Sequence, residues 1–172
     1  PNTKGLRDLQ FGDSLNRLLE ALKQKQKSLA EEHDRYVPLA VKIAPDMDEE
    51  AIGHVARMLR DHEIDGVIAT NTTIDKSSVE NLDHGGEEGG LSGRPLAERS
   101  TQVIRQLSDA LNGEIPIIGV GGIFDGESAA EKIRAGATAV QIYTGFIYRG
   151  PEVIREAAAA IAELHKGRVV SE

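Results

Sequence analysis

Two glycine-containing segments carry the residue types that hold an anion. One is Ile118-Gly119-Val120-Gly121-Gly122-Ile123, and the other is Tyr143-Thr144-Gly145. Glycine lets backbone N–H groups approach a phosphate closely, and a following helix N-terminus adds a favourable dipole. Either segment alone is equally well read as a tight turn. Two of them, each closing an apolar stretch, point to the phosphate of a cofactor or substrate. The pattern is not a dinucleotide fingerprint, because counting G-x-G-x-x-G from Gly119 puts Phe124 in the last position.

Lys42 is the next chemical residue. It interrupts the apolar run Val37 to Ala44, and a charge inside such a run needs a counter-charge or a charged ligand. It either neutralises a cofactor ring or phosphate, or pairs with a carboxylate such as Asp65. Thr70-Asn71-Thr72-Thr73 ends another apolar run. An Asn amide donates and accepts together and so matches an amide or imide edge, although such residues also make local turns. The glycine-rich Gly89-Gly90-Leu91-Ser92-Gly93-Arg94-Pro95 leads into a helix start and offers further N–H donors.

Other chemistries lack their residues. There is no Cys, so disulfides, thiolate metal sites and Cys nucleophiles are excluded within the sequence. The five His residues form neither H-x-x-x-H nor HExxH, and no metal site is expected. His54 and His62 are expected on a solvated helix face. The net charge of −8 disfavours a nucleic-acid partner. No apolar run reaches the roughly 18 residues of a membrane span, and the segment is expected to be soluble.

The elements that must position these residues alternate regularly. Strands are predicted at Val37–Ala44, Gly66–Asn71, Ile115–Val120 and Ala139–Tyr143, the first a near-continuous apolar run that suits a strand buried on both faces. Helices are predicted over Asp13–Asp34, where Leu15, Leu18, Leu19, Leu22 and Leu29 form the stripe, then after Pro45-Asp46-Met47-Asp48, from near Pro95, over Gly126–Ala135, and over Pro151–His165. A long loop spans Thr72–Arg94. Such alternation implies parallel strands joined by right-handed crossovers. An open doubly wound sheet gathers its ligand groups at one switch point. Here unusual residues stand at the C-terminal ends of all four strands, the arrangement of a (β/α)8 barrel. A whole barrel takes about 250 residues, so four units are expected to be half of one. Such a half exposes two strand edges and the barrel's inner face, and it is expected to be stable only with its other half or by self-association.

These blocks resemble a known family. PNTKGLRDLQ at 1–10, VKIAP at 41–45, DGVIATNTT at 65–73, GGLSGRPL at 89–96, PIIGVGGI at 116–123 and VQIYTGFIYRGP at 140–151 are similar to dihydroorotate dehydrogenase. They look most like its class 2, quinone-linked, membrane-associated bacterial form. The resemblance runs nearly from end to end, with the blocks in the family's order.

The resemblance implies an α/β fold, the C-terminal half of an FMN-binding TIM barrel over residues 1–172, with the N-terminal half outside this sequence. It implies oxidation of dihydroorotate to orotate in pyrimidine synthesis, with a quinone as acceptor. By motif, Lys42 would contact the isoalloxazine ring and act as the catalytic residue of this segment. Thr70 would lie against the flavin. Gly93, Gly121, Gly122, Tyr143 and Thr144 would surround the FMN phosphate. Asn2, Asn71 and Thr72 would hold the substrate. The family's serine base would lie just before Pro1, so the segment alone is expected to be inactive and to need the N-terminal half as its partner. The whole enzyme would be peripheral on the cytoplasmic face of the inner membrane. A non-catalytic, self-associating half-barrel and a soluble class 1 enzyme using fumarate or NAD are the alternatives.

Overall fold

Four short strands form one parallel sheet in the order β1-β2-β3-β4: Ala40–Ile43, Gly66–Ala69, Ile117–Val120 and Ala139–Gln141. The structure is a computed structural model and describes residues 5, 9 and 12–169. Among the described residues six α-helices accompany the strands: α1 Gly12–His33, α2 Glu49–Asp61, α3 Ala97–Leu111, α4 Gly126–Arg134, α5 Thr144–Arg149 and α6 Glu152–Val169. Sequential strands are spatial neighbours and parallel, as expected of consecutive βα units.

The register separates the two sheet faces. Ile43, Ala69, Gly119 and Val140 stand side by side across the sheet. A Cβ at Gly119 would come within 3.1 Å of Ile104, Lys132 and Ala137, so this row faces the helices. Against it lies the core, with Val55 and Leu59 of α2 and Val103, Ile104, Leu107 and Leu111 of α3 at 0–1% exposure. The neighbouring row is Lys42, Ile68, Ile118 and Ala139. Here Lys42 and Ala139 are exposed and the two isoleucines half-buried. This sheet is covered on one face only among the described residues, as expected of half a barrel with its inner face open, although the apolar run of β1 alone reads as a strand buried on both faces.

Several boundaries differ from expectation for visible reasons. The strand predicted from Val37 begins at Ala40, because the preceding backbone bonds to side chains. Gln26 donates to the Val37 carbonyl (2.8 Å), and the Leu39 N–H donates to Asp65 (2.8 Å). The strands predicted to end at Asn71 and Tyr143 stop at Ala69 and Gln141, and the third starts at Ile117. Tyr143-Thr144-Gly145 is not only a turn, because Thr144 opens the short helix α5. In α1, Leu15 and Leu19 are buried, whereas Leu18, Leu22 and Leu29 are 38–39% exposed. The predicted stripe is wider than the face that finds a partner. His54 is half-buried rather than solvated, and its Nε2 has no partner among the described residues. His62 links α2 to α1 through Asn16 (2.7 Å).

Capping fixes the helix starts that matter. Asp48 caps α2 by accepting from the Ala51 N–H. Asp125 and Ser128 form a reciprocal capping box at α4. The Asp125 carboxyl is held below its usual range by hydrogen bonds from the Ser128 side chain and then its N–H, with Arg94 and Arg149 adding charge; these outweigh burial.

Candidate functional site

The C-terminal ends of all four strands open into one recess that is continuous with solvent. Lys42 enters from β1, Thr70, Asn71 and Thr72 from the end of β2, Gly121 and Gly122 from the end of β3, and Tyr143 and Thr144 from the start of α5. Gly93 comes from the long loop before α3. Nine of the ten residues singled out in the sequence thus meet at one place; Asn2 lies outside the described residues.

The Gly121–Gly122 turn is built by close packing. Both residues have positive φ, +122° and +72°, a conformation that L side chains rarely adopt. A Cβ at Gly122 would lie 2.3 Å from the Ala97 Cβ and 2.4 Å from its Cα. One at Gly121 would meet Ser100 at 3.0 Å. Glycine is therefore required both by conformation and by the approach of α3. The N–H groups of Gly122 and Ile123 have no acceptor among the described residues, although Ile123 is 3% exposed. Unpaired N–H groups at a buried position are rare unless a ligand or water accepts from them. Thr144 and Gly145, in the first turn of α5, add the orphan donors of a helix start. This cradle fits a phosphate.

The long loop is tied to the same place. Thr144 Oγ1 donates to Ser92 Oγ at 3.0 Å, and an isolated antiparallel bridge joins Thr73 to Leu91 at the loop's two ends. Arg94 lies 4.6 Å from the centre of the Phe124 ring. Arg149 donates to the Phe124 carbonyl (2.7 Å) and pairs with Glu156 (2.8 Å), which fastens α5 to the segment before α4 and to α6.

Lys42 is exposed on the open face and makes no hydrogen bond or ion pair with a described residue. The alternative partner Asp65 is engaged elsewhere, by the Leu39 N–H (2.8 Å), Gln26 (3.0 Å) and Tyr36 (2.5 Å). Burial pushes the Asp65 carboxyl up, but these bonds and the nearby Lys23 outweigh it, so the net shift is downward. Asn71 makes the local contact that its type allows, accepting from the Thr72 N–H (2.8 Å). Its side-chain amide N–H groups donate to no described residue. The Thr72 hydroxyl is buried without a partner. Thr70 is 1% exposed, and its hydroxyl donates to the Asn71 carbonyl (2.8 Å).

Sequence reasoning passed over three residues. Ser92 and Gln141 line the recess; Ser92 sat inside the quoted glycine-rich loop, and Gln141 is the polar residue in the last strand. Lys132 is 1% exposed behind the Gly121–Gly122 turn. Its signal was its place on the apolar stripe of α4 with Ala129 and Ile133, three residues before it and one after. Among the described residues no cluster of three or more His, Asp or Glu is placed to hold a metal, and no helix is long and apolar enough to cross a membrane.

Comparison with known proteins gives a consistent result. The family model for dihydroorotate dehydrogenase matches residues 1–164. The chain is 60% identical over 170 residues to the dihydroorotate dehydrogenase (quinone) of Azotobacter vinelandii, covering 99% of this chain and 49% of that protein. It is 62% identical over 161 residues to the enzyme of that name from Marinobacter nauticus, covering 94% and 47%. Among solved structures, a DHODH from Eimeria tenella crystallised with ferulenol superposes with a TM-score of 0.90 at 37% identity, over 99% of this chain and 49% of that one. The chain spans about half the length of the curated relatives it matches.

Proposed function

The chain belongs to the dihydroorotate dehydrogenase family, and on that premise we propose that it supplies the FMN phosphate site and part of the substrate site of a quinone-dependent dihydroorotate dehydrogenase. The observation that carries this reading is the convergence of the Gly121–Gly122 turn, its unpaired N–H groups and Lys42 in one recess at the strand C-termini. Relatives named as quinone-linked enzymes at about 60% identity support the acceptor.

FMN, when bound, supplies the hydride acceptor. This chain's residues do the rest by position and charge. Gly93, Gly121, Gly122 and Thr144 hold the phosphate end, and Tyr143 borders it. Thr70 lies against the ring. Lys42, unpaired on the open face, places a positive charge where negative charge grows as the ring is reduced. The Asn71 amide and the unpartnered Thr72 hydroxyl meet the pyrimidine and its carboxylate, with Asn2 as a third contact. The ionisable side chains lining the recess are Lys42 and Tyr143, and neither is assigned as the base that removes the substrate's C5 proton.

The open face and the edges of β1 and β4 are where four further strands would close the barrel, and we assign that covering half as the obligatory partner of this one. A quinone is dissolved in the membrane, so the whole enzyme would work as a peripheral protein at the cytoplasmic face of the inner membrane. Steady-state assays of the native protein with dihydroorotate and either a short-chain quinone, fumarate or NAD test the acceptor. Quinone should support turnover and the other two should not. Turnover with fumarate or NAD alone would place the protein in the soluble class.

A further inference from the structure

Lys132 is a buried lysine without a carboxylate partner. Its Nζ contacts the Ala97 carbonyl at 2.8 Å, Thr101 Oγ1 at 2.6 Å and Ser100 Oγ at 3.2 Å. Each of these oxygens must accept. A carbonyl has no proton to give, the Thr101 hydroxyl donates to the Ala97 carbonyl (2.9 Å), and the Ser100 hydroxyl donates to the Val120 carbonyl (2.5 Å). Three acceptors require three N–H donors, and only the ammonium has three. The site is therefore built for a cation. It also lies at the first turn of α3, where the helix dipole is already positive. An unpaired buried charge is costly, so a compensating anion is expected close by.

The neighbours of Lys132 join it to the Gly121–Gly122 turn. Ala97 packs on Gly122 and Ser100 packs on Gly121. Ser100 also binds the carbonyl of Val120, the residue that leads into the turn. One layer of side chains thus separates the ammonium from the turn that lines the recess.

We propose that Lys132 is a buried counter-charge behind the Gly121–Gly122 turn, giving the recess its preference for a phosphorylated ligand over the same ligand without phosphate. This rests on the reading of the recess as the FMN phosphate site and adds to it a residue that touches no ligand. Lys132 positions the turn through Ser100 and Ala97 and acts on the phosphate through its charge.

The test is the dissociation constant of FMN and of riboflavin for the native protein and for Lys132→Met, measured by flavin fluorescence after removal of bound flavin. A unit charge lost from low-dielectric surroundings several ångströms from a phosphate should weaken FMN binding by roughly tenfold or more. Riboflavin binding should change much less. Equal losses for both ligands, or no loss for either, overturn the proposal. Burial brings the Lys132 ammonium down to about 8, so a second readout exists should Lys132→Met not fold. The charged group that acts on it is Glu131, the preceding residue of α4. In the unsubstituted protein the ratio of riboflavin to FMN dissociation constants should fall as pH rises through this range. A constant ratio overturns the proposal. Native protein that binds no FMN at any pH would instead refute the underlying reading of the recess.

Discussion

The hydroxyls of Ser92 and Thr144 lie 3.0 Å apart although the residues are separated by 52 positions. This contact pins the loop before α3 to the start of α5, at the same place where Gly93 approaches the Thr144 side chain. Replacing either hydroxyl, as Ser92→Ala or Thr144→Val, should cost about 1 kcal/mol of stability. The double variant should cost less than the sum of the two, because the pair shares one bond. Denaturant unfolding of all four proteins measures the coupling. Strict additivity would show that the contact does not persist in solution.

Gly122→Ala should be far more damaging than a glycine change elsewhere. The positive φ alone costs roughly 1–2 kcal/mol for a residue with a side chain, and the new methyl would fall on the Ala97 backbone. Lower thermal stability and loss of bound flavin are both expected. Gly86 has open space around its Cβ position, so Gly86→Ala should stay within about 0.5 kcal/mol. Equal melting temperatures for the two variants would contradict the packing described for the turn.

Much of this site was legible from residue types and their order. Four apolar runs, each followed by polar or glycine residues, mark the recess in the sequence itself. What remained hidden depended on partners distant in sequence. Whether Lys42 pairs with Asp65 could not be read from the strand itself; it depends on Tyr36, Gln26 and Leu39 occupying that carboxylate. The leucines of α1 give no sign of which will be buried; among the described residues Leu15 and Leu19 are, and Leu18, Leu22 and Leu29 are not. Lys132 stands on the apolar stripe of its helix, but the Ser100, Thr101 and Ala97 oxygens that hold it lie more than 30 positions away. The exposed face of β1 and β4 follows from the count of four βα units, since half a barrel leaves its inner face open; the apolar runs themselves read the same whether or not that face is covered.

Asp125 gives a pH dependence with a definite sign. Its carboxyl is held down in the folded protein, by Ser128 first, relative to about 3.9 in an unfolded chain. A depressed folded value means that the stabilisation is fully present above the unfolded value and is lost as pH falls through the folded one. Acid unfolding below about pH 4 should therefore be less steep in Asp125→Asn. At neutral pH, Asp125→Ala should lose about 1 kcal/mol with the cap. Identical acid-denaturation profiles for the native and Asn proteins would exclude this contribution.

Lys42→Ala separates binding from chemistry. The side chain has no structural partner among the described residues, so folding should be unaffected. Flavin reduction by dihydroorotate should slow by roughly a hundredfold or more, as when a positioned charge is removed from a developing anion. The dihydroorotate dissociation constant should move much less. Rapid-mixing single-turnover kinetics distinguishes the two effects, and an unchanged reduction rate would remove Lys42 from the mechanism.

The most direct measurement is the visible absorption spectrum of the native protein, followed without oxygen as dihydroorotate is added. The account predicts an oxidised-flavin spectrum from bound FMN, bleaching at one equivalent of dihydroorotate and recovery on addition of a quinone. Protein without flavin, or flavin that dihydroorotate does not bleach, would contradict the assignment of the recess as an FMN site serving dihydroorotate oxidation.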